Sequence, residues 1–286
     1  MFFAFSYSLI DFSHLNFYNQ NKRSAFRNET NIFGGSPMSN TYRLDQIYNI
    51  LLKKKTATVE ELAAGFQVTP TTIRRDLLEL EGRKLIYRTR GAAFLLEGRM
   101  ADANIFVDEK RRIAAAAAAF VTNGMSIALD SGTSVLALSR HLAESPTLSE
   151  VDFITHSPKV ALEVSKRFHV SLPGGAMSPQ NEFLVGSETE EFYKKINADI
   201  AFLGSMGVYN CNGLTVSNPL QMSVKHHSAQ CASRRIALLD SGKFSMRGMY
   251  MFCDYKDIDI MITVKTPDNE AQLDRIADMG VELILV

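Results

Sequence analysis

The stretch "VTPTTIRRDLLELEGRKLIYRTRGAAF", residues 68–94, decides how the first third of this chain folds. Thr69-Pro70 opens a helix: the threonine hydroxyl caps the first turn, and proline suits the first helical position, where no amide is needed. At about 100° per residue, Ile73, Leu77 and Leu80 share one face, which must be buried. Thr71 and Arg75 lie almost opposite that face, with Leu78 near them and Arg74 on one flank. Thr72 belongs to the same first turn. Asp76 sits toward the buried flank and is expected to pair with Arg43. Glu79 and Arg83 stand at i,i+4, a pairing worth a few tenths of a kcal/mol.

Upstream, Leu44, Ile47 and Leu51 recur at helical spacing and predict a helix over 42–54. Thr58-Val59-Glu60-Glu61 is a capping box that starts a short second helix, which ends near Gly65. Two short helices joined by a tight turn form a helix-turn-helix. In that motif the N-terminal residues of the second helix enter the major groove, where arginine pairs with guanine edges or phosphates. Leu78 has two readings, contact with a thymine methyl or a second packing surface. Downstream, residues 85–89 read as a strand, Arg90-Gly91 as a turn and Ala92 to Leu96 as the return strand. This is a β-wing, with Arg88 and Arg90 at its tip to straddle a phosphate backbone.

Composition agrees with a basic module joined to an acidic one. The 286 residues carry no net charge. Residues 38–98, however, hold ten Lys/Arg against seven Asp/Glu, and residues 99–286 hold eighteen against twenty-two. Cys211, Cys231 and Cys253 have neither zinc nor disulfide spacing, which suits reduced thiols in a cytoplasmic protein. No apolar run approaches the roughly 20 residues that cross a bilayer, so no membrane partner is expected. Residues 1–37 keep no periodicity and read as an upstream start before Met38 or as a disordered tail. The expected division is therefore an extension over 1–37, a winged helix-turn-helix over 38–98 and a larger domain over 99–286.

From Val107 onward, helices alternate with short continuous apolar strands at 125–129, 153–155, 170–172, 200–203, 236–239, 258–263 and 281–285. Such strands are buried on both faces, which predicts an α/β domain with a mainly parallel, Rossmann-like sheet. Ligands of such sheets bind at the carboxyl ends of the strands. Those ends here are Asp130-Ser131-Gly132-Thr133-Ser134, His156-Ser157-Pro158, Pro173-Gly174-Gly175, Gly204-Ser205 and Asp240-Ser241-Gly242-Lys243. Gly-Thr-Ser at a helix start offers amides and hydroxyls to a phosphate. Lys225 and Lys243 would add positive charge. Asp130 either binds sugar hydroxyls or caps its helix. Gly174 and Gly175 either line a pocket or serve a tight turn, and Lys225 has the alternative of a solvated helix position. His226 and His227 lack the companions of a metal site, and no nucleophile motif is present, so neither a metal, a cofactor nor catalysis is expected.

These residues resemble the DeoR family of bacterial transcription regulators. "TPTTIRRDLLELE" with Arg43-Leu44-Asp45-Gln46-Ile47 looks like its DNA-binding region. "DSGTS", "LPGG", "FLVGSETEEFYKKINADIAFLGSMGV" and "LLDSGKF" look like its effector domain, in family order. The resemblance implies a repressor of carbohydrate genes whose C-terminal domain is similar in fold to sugar-phosphate isomerases and senses a phosphorylated sugar. It implies operator-DNA contact by Arg74 and Arg75 and a phosphate loop of Asp130, Gly132, Thr133 and Ser134. Gly174, Gly175, Lys225, Asp240 and Lys243 would line the pocket, and the protein would act as a homo-oligomer. Two departures stand out. The wing has Arg90-Gly91-Ala92-Ala93 where the family has His-Gly-Gly-Ala. His156 replaces the asparagine of Thr-Asn-Ser, which would change the ligand or add a pH response. Two other readings compete: a sugar-phosphate isomerase-like enzyme with an accessory winged helix, and a protein-binding winged helix.

Overall fold

The computed structural model describes residues 40–83, 85–89, 91–95, 105–177 and 183–286. The 1–37 extension and Arg90 lie outside the described residues. The first module runs α1 (Asn40–Lys54), β1 (Thr56–Thr58), α2 (Val59–Phe66), α3 (Pro70–Gly82), β2 (Ile86–Thr89) and β3 (Ala92–Leu95). Leu44, Ile47, Leu51, Ile73, Leu77 and Leu80 are all buried in one core. The capping box forms as its residues require: Thr58 Oγ1 accepts from the Glu61 amide at 3.1 Å, and Glu61 Oε2 accepts from the Thr58 amide at 2.8 Å. Helix α2 passes Gly65 and stops at Gln67, which adopts the left-handed conformation. Its added residue, Phe66, is buried. Thr69 caps α3 by accepting from the Thr72 amide at 3.2 Å, with Pro70 at the first helical position. The sheet order β1-β3-β2 includes a strand, β1, whose three residues are too few to show a period.

The larger module comprises α4 (Val107–Ala118), β4 (Ser126–Leu129), α5 (Thr133–Ala143), β5 (Asp152–Thr155), α6 (Pro158–Val164), β6 (Val170–Ser171), β7 (Ala176–Met177), β8 (Leu184–Val185), α7 (Ser187–Tyr193), β9 (Ala198–Leu203), β10 (Gly213–Val216), α8 (Pro219–Gln230), β11 (Ala232–Leu239), β12 (Tyr250–Asp254), β13 (Ile260–Thr263), α9 (Glu270–Asp278) and β14 (Glu282–Leu285). Seven strands form a parallel sheet in the order β14-β13-β11-β9-β4-β5-β6. Successive strand residues point to opposite faces. Ile127, Leu129, Ile236 and Leu238 therefore pack with α4, α5 and α6. Ala128, Ala237 and Leu239 pack with α7, α8 and α9. From β4 the chain runs outward to β6, then returns and continues from β9 in the other direction. The order thus reverses between β4 and β9, and the carboxyl ends at such a reversal are where sheets of this kind bind ligands.

The two modules touch. Ile105 and Phe106 are buried in the core of the first module, and the Phe106 amide donates to Asp45 of α1 at 2.7 Å. Among the described residues no helix is long and apolar enough to cross a membrane.

Candidate functional site

Helix α3 presents the face its sequence demands. Arg74, Arg75 and Thr71 are exposed, Thr72 is half-buried, and Leu78 is 56% exposed. Leu78 is thus a surface residue rather than a packing contact. Asp76 faces inward, where Arg43 grips it twice, Nε to Oδ2 at 2.6 Å and Nη2 to Oδ1 at 3.0 Å. Both partners are buried. The pair fixes α3 on α1 and keeps the only carboxylate of the helix's first half away from the outward face. Glu79 and Arg83 form the expected i,i+4 pair.

Arg88 departs from expectation. It lies on β2 rather than at the wing tip, and its guanidinium is already paired with Glu81 at 2.7 Å. Nothing in the spacing of the two residues signals this contact, because it joins a helix to a strand.

At the carboxyl ends of the sheet the residues named from sequence split into groups. Asp130, His156 and Lys225 come together and are almost wholly buried. Asp130 Oδ2 accepts from the Gly204 amide at 2.9 Å and from Lys225 Nζ at 2.8 Å, and Oδ1 accepts from the Ser131 amide at 2.7 Å. Asp130 therefore does not cap α5, and it ties the two strand ends across the reversal. Lys225 is no solvated helix residue. Its ammonium also donates to Gly204 O at 2.7 Å and lies 4.7 Å from the Phe252 ring centre.

His156 Nδ1 bonds the Tyr193 hydroxyl at 2.9 Å, and Nε2 lies 3.4 Å from Asp130 Oδ1 without a hydrogen bond. Burial pushes its pKa down to about 4, against the opposing pull of Asp130. The ring is neutral near pH 7 and fully buried.

Gly132 and Thr133 remain half-accessible at the N-terminus of α5, and Ser134 is buried beneath them. Gly132 is the cap residue at φ 119, no side chain caps that helix, and the space beside its Cα is open. The first-turn amides of α5 are thus not consumed by a cap.

Gly174 and Gly175 are exposed beside β7. Gly174 O accepts from Thr189 Oγ1 at 2.7 Å, and a side chain at Gly175 would collide with that same hydroxyl. Their turn is built for close approach to α7.

Asp240 and Lys243 are buried at the joint between the modules. There Glu109 accepts from the Ser241 amide at 2.7 Å and the Ser241 hydroxyl at 2.9 Å. Phe106 covers Gly242 so closely that a Cβ there would meet its ring at 2.5 Å. Burial raises Asp45 to about 6 and Glu109 to about 7, and the Asp240 carboxylate adds to both. Sequence reading missed Phe106, Asp45 and Glu109 because their partners lie 61 to 132 residues away. Among the described residues no group of His, Cys, Asp or Glu is arranged to hold a metal. His226 and His227 each set Nδ1 against a backbone carbonyl oxygen, at 3.0 and 2.8 Å.

Comparison with known proteins places this architecture. Residues 43–98 match the DeoR-like helix-turn-helix domain, and residues 105–265 match the DeoR C terminal sensor domain. The HTH-type transcriptional repressor GlcR of Bacillus subtilis is 31% identical over 254 residues, 85% of this chain and 95% of that protein. The HTH-type transcriptional regulator GlpR of Haloferax volcanii is 30% identical, covering 79% of this chain and 90% of that one. The glycerol-3-phosphate regulon repressor of Escherichia coli K12 is 27% identical, covering 80% and 93%. Among solved structures, ribose 5-phosphate isomerase A of Methanocaldococcus jannaschii aligns at a TM-score of 0.36 and 19% identity over 48% of this chain and 54% of that one. With a helix-turn-helix match at one end, a sensor-domain match at the other and repressors as relatives, the chain belongs to the DeoR family: it is a DNA-binding transcriptional regulator and not an enzyme.

Proposed function

We propose that this protein is a repressor of carbohydrate or glycerol-phosphate genes, that α3 reads operator DNA through Thr71, Thr72, Arg74 and Arg75, and that a phosphorylated metabolite bound in the larger domain releases it. The observation that carries the reading is the exposed pair Arg74 and Arg75, set beside a carboxylate, Asp76, that Arg43 holds inside. The outward face is left polar and cationic at the helix end that enters a major groove. As a homo-oligomer, the protein would set two such helices on half-sites about one helical turn apart.

The phosphoryl group belongs at the N-terminus of α5. Uncapped amides and the helix dipole favour an anion there, and Thr133 adds a hydroxyl. Asp130 and Lys225 support the floor of that site from below by joining the strand ends. Metabolite binding should therefore respond directly to Thr133, while Gly174 and Gly175 shape the turn that closes on α7.

The test is DNA binding by the full chain to its own promoter fragment, with and without glycerol 3-phosphate and a panel of sugar phosphates. One of these compounds should raise the melting temperature and weaken DNA binding, because a ligand specific to the folded state stabilises it. Thr133→Val should abolish both responses with DNA binding intact. No response to any phosphorylated compound, or full response in Thr133→Val, contradicts the assignment of the site.

A further inference from the structure

The contact between Glu81 and Arg88 poses a problem in electrostatics. Glu81 stands in the last turn of α3, on the helix that must approach a polyanion. A carboxylate there repels DNA unless it does something that outweighs the repulsion. Its contacts show what that is. Glu81 Oε2 accepts from Arg88 Nε at 2.8 Å and lies 2.7 Å from Nη2. Glu81 Oε1 accepts from the Arg88 backbone amide at 3.1 Å. One side chain thus holds both the main chain and the guanidinium of a single wing residue.

That grip decides where Arg88 points. The carboxylate meets the Nε/Nη2 edge of the fork, which turns the Nη1 amino group away from it. A cleft of about 290 Å³ lies between α3 and the wing, and Arg74, Leu77, Arg88, Thr89 and Gly91 line it. Arg74 lines it from α3 and Arg88 from β2. The wing itself is fixed there, since Gly91 O accepts from the Val59 amide at 2.8 Å at the start of α2. Arginine donors fixed in a fork suit phosphate oxygens, and a guanidinium already held in place loses less freedom on binding.

We infer that Glu81 is a positioning residue for DNA binding: it holds Arg88 so that, with Arg74, it takes one phosphodiester of the DNA backbone in the cleft between α3 and the wing. This rests on the reading that α3 faces DNA. It adds a defined backbone site and a role for an acidic residue that charge alone would count as unfavourable. Because phosphate contacts carry no base information, the site acts equally on all sequences.

The test uses the full chain and a 30-base-pair duplex of mixed sequence, with affinity measured by fluorescence anisotropy across 50–200 mM KCl. Glu81→Gln removes a negative charge. If charge were all that mattered, it would bind more tightly. The positioning role gives the opposite sign: binding weakens about tenfold, and the slope of log K against log salt flattens by about one, the loss of one phosphate contact. Glu81→Asp keeps the charge but is too short to reach both Arg88 groups, and it should weaken binding in the same way. It carries the test alone if Glu81→Gln lowers the melting temperature. Arg88→Ala should match Glu81→Gln, and the double variant should be no worse than Arg88→Ala. Unchanged or tighter binding by both Glu81 variants, or additive losses in the double variant, overturns the inference. If Arg74→Ala, Arg75→Ala and Arg88→Ala all bind as the parent does, the DNA face itself is wrong, which is a separate failure.

Discussion

Arg75 and Asp76 are neighbours in sequence with opposite fates, and the difference is one helical step of about 100°. Asp76 falls on the flank that α1 covers and finds Arg43; Arg75 falls outside. At the same scale, His156 shows what sequence position alone misleads about. It follows a strand where a ligand would bind, yet it is buried against Tyr193 and Phe183. Its folded pKa of about 4 lies below the ordinary value of 6.5, so the unfolded chain takes up a proton first as pH falls. The stability it supports is complete above pH 6.5 and is lost between 6.5 and 4, about 3 kcal/mol in all. Urea unfolding of the parent and of His156→Asn across pH 7 to 4 should show this: the parent loses stability steeply below 6.5 and the asparagine variant less so. Equal pH dependence in the two would mean the ring is not held neutral.

At the scale of elements, caps were the most legible feature. The Thr58 box and the Thr69-Pro70 start each form as residue chemistry requires, because both ends of a cap lie within four residues. Thr58→Ala should cost about 1 kcal/mol of stability in chemical unfolding, and Thr58→Ser much less. An alanine variant as stable as the parent would show that the box contributes nothing. The parallel strands were also readable from their apolar runs, since a sheet covered on both faces needs them. Three kinds of element were not. Strand β1 is three residues long, β7 and β8 are two residues each, too short to show a period, and β10 pairs antiparallel with β12 about 35 to 40 residues along the chain. The same limit applied to the site. Gly132, Thr133 and Ser134 could be placed at a helix start from local sequence. The union of Asp130 with Lys225 and Gly204 could not, because it depends on which strands become neighbours at the reversal of the sheet.

For the whole molecule, the excess of Lys and Arg lies in the smaller module, whose α3 exposes Arg74 and Arg75, and the excess of Asp and Glu in the larger α/β module. The joint between them runs from the end of β11 through Gly242 and Phe106 to Asp45, while Arg43 on that same α1 holds Asp76 of α3. A side chain at position 242 must displace the Phe106 ring. Gly242→Ala should therefore destabilise the protein by about 1–3 kcal/mol, the range for an overpacked core site. Phe106→Ala should remove that penalty, so that the two substitutions together cost less than their sum. Strict additivity in thermal unfolding would mean the two sites do not meet. The most direct test of the central claim, that the outward face of α3 reads operator DNA, is selection of bound sequences from a randomised duplex pool by the parent and by Arg75→Ala. The parent should recover a defined motif, and Arg75→Ala should lose preference at one position of it with about 1–3 kcal/mol weaker binding. An Arg75→Ala variant that recovers the same motif with the same affinity would contradict the account.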